Sequence, residues 1–108
     1  MGLTKTEGFT AEQIALASVT RALGHPARIA ILQYLANQKA CICGDIVDEL
    51  PLSQSTVSQH LKELKNAGLI QGNVDGPSIC YCINEKAWNQ VQAMINELFE
   101  AYTGNNCC

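Results

Sequence analysis

Residues 53–70 read SQSTVSQHLKELKNAGLI, and this stretch decides which fold the chain is predicted to adopt. Its apolar residues Val57, Leu61 and Leu64 repeat at four and three residues, which is the spacing of one apolar edge on an α-helix. The serine at the start of the stretch is a typical N-cap, and the glycine near its end is a typical helix stop. We therefore predict an amphipathic helix from about Gln54 to Ala67.

The segments on either side of this helix predict a DNA-reading motif. A short helix is predicted from Asp45 to Leu50, and residues 51–53 form the tight turn that follows it. From Ile70 the apolar period changes to two, and Asp75-Gly76 is a strong hairpin-turn signal. Two helices joined by a turn and followed by a hairpin are typical of a winged helix-turn-helix, whose second helix enters the major groove.

The polar side chains of this second helix can hydrogen-bond to phosphates or to base edges. Gln59 can pair with adenine, and the two lysines are expected nearer the DNA backbone. A solvated helix face has the same composition, but the neighbouring turn and hairpin favour DNA. The predicted DNA-binding residues are Ser55, Thr56, Ser58, Gln59, His60, Lys62 and Lys65.

The remaining segments complete a fold that is mainly α with a small β-hairpin. A capping box begins the first helix at Thr10, and the helix is predicted to end at about Leu23. A second helix follows from Pro26 and ends at Asn37. We therefore expect a winged helix-turn-helix with about five helices and a two-stranded wing.

The last helix, predicted from about Glu85 to Tyr102, carries large apolar residues at helical spacing along one side. A chain of 108 residues has a modest core and commonly gains stability from a partner subunit. We therefore predict a homodimer. Residues 1–103 are expected to form one DNA-binding and dimerisation domain, and residues 104–108 a flexible tail that contains cysteines.

Composition excludes some classes of protein and leaves DNA binding open. The chain is 47% apolar and 16% charged, which argues against disorder. No apolar run approaches the ~20 residues of a membrane helix, and the first residues lack a secretion signal, so the cytoplasm is the predicted compartment and no membrane partner is expected. A net charge of −3 does not favour nucleic acid, but a local basic face is what binds phosphates.

Six cysteines occur as three tight pairs, Cys41/Cys43, Cys80/Cys82 and Cys107/Cys108. In a reducing compartment such pairs favour a thiophilic ion or a reversible disulfide over a structural disulfide framework. Cys80 and Cys82 face the same way on a predicted strand, which makes them a ready bidentate pair. Small buried hydrophobes or idle tail residues are the alternative readings.

Three stretches resemble the ArsR/SmtB family of metal- and metalloid-responsive repressors: LGHPARIAIL at 23–32, the stretch at 53–70, and residues 76–83. The resemblance implies a winged-helix homodimer whose first and last helices pair between subunits. It further implies that inducer binding weakens the affinity for double-stranded operator DNA, with no cofactor needed for DNA binding. In this resemblance His25 caps a helix, whereas His60 lies along DNA or packs in the interior.

The resemblance also narrows the effector. Members that sense zinc through the last helix carry histidine and carboxylate pairs there, and this chain has no histidine after residue 60. Arsenic-responsive members carry a Cys-x-Cys ahead of the third helix, followed by a further cysteine that is missing here. We therefore predict arsenite or antimonite as inducer, bound by Cys41 and Cys43 with Cys107 or Cys108 as third ligand. Cys80 and Cys82 are the second candidate pair.

Other functions remain open at this point. A thiol redox or persulfide switch on the same fold would need cysteines from different elements to form a disulfide. A thiol-dependent enzyme is disfavoured, because no Cys-x-x-Cys follows a strand in a βαβ pattern and no anion-cradling glycine loop occurs. We predict that the chain is not an enzyme. A DNA-binding protein without any effector is the third alternative.

Overall fold

A computed structural model of the chain describes residues 8–43, 50–75 and 78–104. The elements follow the order of a winged helix-turn-helix, with a short additional strand. They are α1 (Ala11–Leu23), α2 (Pro26–Ala36), β1 (Ile42–Cys43), α3 (Gln54–Asn66), β2 (Ile70–Asp75), β3 (Ser78–Ile83) and α4 (Glu85–Glu100).

Polar caps set the start of each helix. In α1 the Thr10 hydroxyl accepts a hydrogen bond from the Gln13 amide at 3.1 Å, and the Gln13 side chain accepts one from the Thr10 amide at 2.9 Å. Ser53 caps α3 and Asn84 caps α4, each through a side-chain oxygen that accepts a hydrogen bond from the amide three residues farther along. Each side chain satisfies an amide that the helix itself leaves unpaired. After α3, Gly68 takes a φ of 85°, which is a left-handed conformation open to glycine.

The described residues contain four helices, where the sequence predicts about five in the whole chain. The predicted helix from Asp45 to Leu50 lies outside the described residues apart from Leu50, and so does Gly76 of the hairpin turn. The other helices lie where the sequence predicts them, although α4 ends at Glu100, two residues before Tyr102.

The wing has one strand more than predicted. β2 and β3 form the predicted antiparallel hairpin, and β1 pairs with the other edge of β3 to give the order β1-β3-β2. Ile42 lies opposite Tyr81, and Cys43 lies opposite Cys80. The sequence does not predict this strand, which pairs the segment ahead of the predicted third helix with β3.

The core lies between α2, α3 and the start of β2. Its most deeply buried side chains are Ile31, Val57, Leu64 and Leu69. Full burial of such a side chain stabilises the fold by roughly 1.5–3 kcal/mol. This packing fixes the apolar edge of α3 against the body of the protein and turns its opposite face outward.

One face of α4 is left exposed by the residues that the structure describes. Trp88 and Val91 pack against the core at the beginning of the helix. Farther along, Leu98 is 54% exposed, Phe99 71% and Tyr102 70%. Large apolar side chains grouped at one end of a helix are typical of an interaction surface. No helix in the described part of the chain has the length and apolarity needed to cross a membrane.

Candidate DNA-reading helix and cysteine site

The outward face of α3 carries nearly all the predicted DNA-binding residues. The predicted residues whose side chains are exposed on this face are Ser55, Thr56, Ser58, Gln59, Lys62 and Lys65. Thr56 Oγ1 lies 2.9 Å from Ser53 Oγ, and Gln59 Nε2 donates a hydrogen bond to Glu63 Oε2 at 3.2 Å. These contacts hold the side chains on the helix surface while leaving them open to a ligand in front of it.

His60 is the exception, because it lies inside rather than on this face. Its side chain is 8% exposed, and Arg28 Nε donates a hydrogen bond to His60 Nδ1 at 3.1 Å. The prediction that His60 lies on the outward face of the helix is therefore wrong, whereas the alternative that it packs in the interior is confirmed. Position 60 comes three residues after Val57 and four before Leu64, which places it on the edge of the apolar stripe.

The surroundings of His60 favour the neutral form of its imidazole. Burial lowers its pKa, and the neighbouring His25 and Arg28 side chains lower the pKa further, while Glu63 opposes the effect. The rings of His25 and His60 lie 4.3 Å apart between centroids. A neutral ring suits the contact with Arg28, because Nδ1 must be unprotonated to accept a hydrogen bond from the guanidinium.

Arg28 joins three helices, a role that no pattern in the sequence indicates. Besides His60 on α3, its Nη1 donates to the carbonyl oxygens of Ala22 at 3.2 Å and Arg21 at 3.5 Å, at the end of α1. His25 caps α2 through Nδ1, which accepts a hydrogen bond from the Ala27 amide at 3.0 Å. The predicted role of His25 as a cap is therefore confirmed.

The structure brings two of the cysteine pairs together. Cys41, just before β1, and Cys82 on β3 form a disulfide with their Cα atoms 4.5 Å apart. Cys80 is disulfide-bonded as well, and its register partner on β1 is Cys43. The two Cys-x-Cys segments, predicted as alternative ligand pairs, thus lie on neighbouring strands. The pairing of β1 with β3 brings the two segments together, and nothing in the sequence pattern predicts that pairing.

The sulfurs of Cys41, Cys80 and Cys82 differ in their surroundings. Asn73 Nδ2 on β2 donates a hydrogen bond to Cys41 Sγ at 3.5 Å. Cys80 is 5% exposed, whereas Cys41 and Cys82 are half-buried. Both half-buried cysteines border a cleft of about 380 Å³ that lies between the end of α2 and the start of α4. This disulfide is therefore accessible to a small molecule.

The predicted third ligands are not among these residues. Cys107 and Cys108 lie outside the part of the chain that the structure describes. Within residues 8–43, 50–75 and 78–104, no group of three or more histidine, cysteine or acidic side chains is arranged to hold a metal ion. The pair Cys41 and Cys82 has two chemical states open to it, a disulfide when oxidised and two thiolate ligands for one soft ion when reduced.

Comparison with known proteins agrees with the fold. Residues 25–71 match the model of the bacterial regulatory proteins of the arsR family. The HTH-type transcriptional regulator MJ1325 of Methanocaldococcus jannaschii is 36% identical over 83 residues, covering 76% of this chain and 92% of its own. The regulator YgaV of Escherichia coli is 32% identical over 90 residues, covering 83% of this chain and 89% of its own.

A solved structure shows the same fold. The homodimeric winged helix-turn-helix DNA-binding domain Mb0332 of Mycobacterium bovis superposes with a TM-score of 0.63 at 22% identity, over 89% of this chain and 88% of its own. Family and relatives are transcriptional regulators, which confirms the prediction that the chain is not an enzyme. Repressors of the ArsR/SmtB type respond to metal or metalloid inducers. The fold and the exposed face of α3 agree with these matches. The chain therefore belongs to the arsR family of DNA-binding transcriptional regulators.

Proposed function

We propose that this protein is a cytoplasmic, homodimeric repressor that leaves its operator DNA when a thiophilic metalloid, arsenite or antimonite, binds its cysteine thiolates. The observation that carries the effector half of this proposal is the meeting of Cys41 and Cys82, which stand 41 residues apart in sequence. Their juxtaposition supports a site at which both sulfurs bind the same ion.

The DNA half rests on the outward face of α3. Short hydroxyl side chains and the amide of Gln59 suit base edges and phosphates, and Lys62 and Lys65 supply positive charge near the backbone. Every phosphate that a lysine neutralises releases counterions, so binding should weaken with salt. Residues 1–103 act as one DNA-binding and dimerisation domain in this proposal, with residues 104–108 as its tail.

The homodimer rests on the apolar surface of Leu98, Phe99 and Tyr102 on and just after α4. A second copy of the same helix would cover these side chains in a twofold-symmetric interface. The Mycobacterium bovis neighbour is itself homodimeric, which supports the same arrangement here. Two α3 helices held at a fixed spacing could then read a palindromic site.

Release from DNA would follow from a change in the segment around β1. Residues 44–53 connect β1 to α3, and Cys82 lies on the wing strand β3. A soft ion that draws Cys41 toward a new set of sulfurs would shift one or both elements. Cys43, Cys80, Cys107 and Cys108 are the candidates for the third ligand of a pyramidal site. A tenfold loss of DNA affinity needs only about 1.4 kcal/mol of difference in ion binding between two conformations.

A second candidate function is a thiol redox or persulfide switch on the same fold. The specific observation that favours it is the disulfide between Cys41 and Cys82. Here the bond itself would be the signal, because it ties β1 covalently to the wing.

One titration tests both candidates. The reduced protein binds fluorescent DNA that it has selected from a random pool, and anisotropy follows release by arsenite, cadmium or a polysulfide. Arsenite should release the wild type and leave Cys41→Ser/Cys43→Ser bound, while Cys107→Ser/Cys108→Ser should respond more weakly. Release by polysulfide alone would support the redox candidate. Binding that no thiophile or oxidant changes would contradict both.

A further inference from the structure

The cleft beside the Cys41–Cys82 disulfide has the size and lining of a small-molecule site. Its volume of about 380 Å³ lies within the usual range for ligand pockets. Ile83 and Trp88 contribute apolar surface. Lys39 contributes a cation and Glu85 an anion, and both side chains are exposed. The proposed function as an ion sensor makes no use of this space.

The two sulfurs of the disulfide are not equivalent as leaving groups. Asn73 Nδ2 donates a hydrogen bond to Cys41 Sγ, and this bond strengthens as the sulfur gains negative charge. A thiolate that is stabilised in this way leaves more easily when the disulfide is attacked. Attack should therefore fall on Cys82 Sγ and expel Cys41 as the thiolate.

We propose that Cys82 is a modification site at which a small aminothiol carboxylic acid forms a mixed disulfide within this cleft. The thiolate of the incoming molecule attacks Cys82 Sγ, a new S–S bond forms there, and the Cys41–Cys82 bond breaks. The electron pair of the broken bond passes to Cys41, which becomes a thiolate and later takes a proton from water. No external oxidant or reductant is needed, because the exchange conserves the oxidation level of the sulfurs.

The charges at the cleft select the class of thiol. A carboxylate on the incoming molecule would pair with Lys39, and an ammonium group would pair with Glu85. A thiol with only a carboxylate would pair with Lys39 but face the like charge of Glu85. A thiol with only an ammonium group would pair with Glu85 but face the like charge of Lys39. A zwitterionic thiol of the size of free cysteine satisfies both and fits the volume. Any effect of the adduct on DNA binding rests on the proposed function, whereas the exchange reaction itself does not.

The test uses the oxidised full-length protein and three small thiols: free cysteine, cysteamine and 3-mercaptopropionate. Reactions are stopped with acid and N-ethylmaleimide, and tandem mass spectrometry assigns the adduct to Cys80 or Cys82 from fragments that separate them at Tyr81. The adduct should form mainly on Cys82. At equal thiolate concentration, free cysteine should react about two- to fivefold faster than either singly charged thiol, the range expected of one exposed ion pair.

Two variants and one control probe the site directly. Lys39→Ala should remove the advantage of thiols that carry a carboxylate, and Lys86→Ala, a neighbouring lysine that does not border the cleft, should keep it. Asn73→Ala should remove the difference between the two sulfurs as leaving groups, so the adduct should form on both Cys41 and Cys82. An adduct mainly on Cys41 or Cys80 in the wild type, or equal rates for all three thiols, would overturn the proposal.

Operator binding measured in the same samples separates this proposal from the proposed function. A Cys82 adduct with the expected thiol preference supports the modification site even where neither arsenite nor oxidation changes DNA binding, a result that would contradict the effector role. Arsenite-driven release without selective exchange at Cys82 would leave the proposed function standing and reject the modification site.

Discussion

Replacing Arg28 should loosen the junction of α1, α2 and α3 by an amount that the structure allows us to estimate. Arg28→Met keeps most of the aliphatic stem and removes the guanidinium. His60 Nδ1 then loses its hydrogen-bond donor in a buried position, and the carbonyl of Ala22 loses a charged donor. An unsatisfied buried group costs about 1–3 kcal/mol, so we expect the free energy of unfolding to fall by roughly 2–3 kcal/mol.

The assay is urea unfolding of the full-length protein at one fixed concentration, because a dimer's stability depends on concentration. Arg21→Met is the matched control. Arg21 is exposed at the end of α1, and within the described residues only its backbone carbonyl takes part in this junction, so its side chain should matter by less than about 0.5 kcal/mol. A double-mutant cycle with His60→Leu isolates the pair, and we expect a coupling energy of about 1 kcal/mol.

An Arg28→Met protein whose unfolding free energy matches that of Arg21→Met would show that the guanidinium does not stabilise this junction. Additive effects of Arg28→Met and His60→Leu would be equally damaging, because they would mean that the contact between the two side chains contributes nothing. A loss of DNA affinity alone, with stability unchanged, would assign Arg28 to the DNA surface instead.

Three further predictions concern dimerisation, DNA reading and pH. Leu98→Glu with Phe99→Glu should give monomers in sedimentation that no longer hold a palindromic site, and a wild type that is monomeric at micromolar concentration would contradict the dimer. Gln59→Ala should cost about 1–3 kcal/mol on one preferred sequence and relax specificity there, whereas Lys62→Ala should weaken all sequences alike and flatten the salt dependence. The lowered pKa of His60 means that the unfolded state binds a proton near pH 6.5 that the folded state does not. Stability should therefore fall as pH drops below 6.5 toward the folded pKa, and this fall should be smaller in His60→Leu.

Elements that carry their own pattern could be predicted from the sequence. α3 has a regular apolar repeat, an N-cap at Ser53 and a stop at Gly68, and its predicted bounds agree with the structure to within one residue. The hairpin has an alternating pattern in its second strand. In both cases, residues close in sequence determine the structure, so periodicity and caps suffice.

Features that depend on distant residues could not be predicted in this way. β1 has two residues, which is too short to show a period, and its partner β3 begins at Ser78. Without that pairing, Cys41 and Cys82 could only be treated as members of separate pairs. The burial of His60 depends in a similar way on Arg28, a residue of α2 that is distant in sequence, since a histidine that follows Ser58 and Gln59 looks like part of the exposed face.

The disulfide between Cys41 and Cys82 also changes the topology of the chain, since it closes a covalent ring. All of α3 and both hairpin strands up to Cys82 lie inside this ring, whereas α1, α2 and α4 are the linear arms outside it. Closing a loop of this length lowers the entropy of the unfolded chain by an amount worth about 4 kcal/mol in the chain-entropy model. A protease cut within the ring would leave the two fragments joined until a reductant is added. The part of the molecule that faces DNA would thus stay covalently attached to both arms after a cut within the ring.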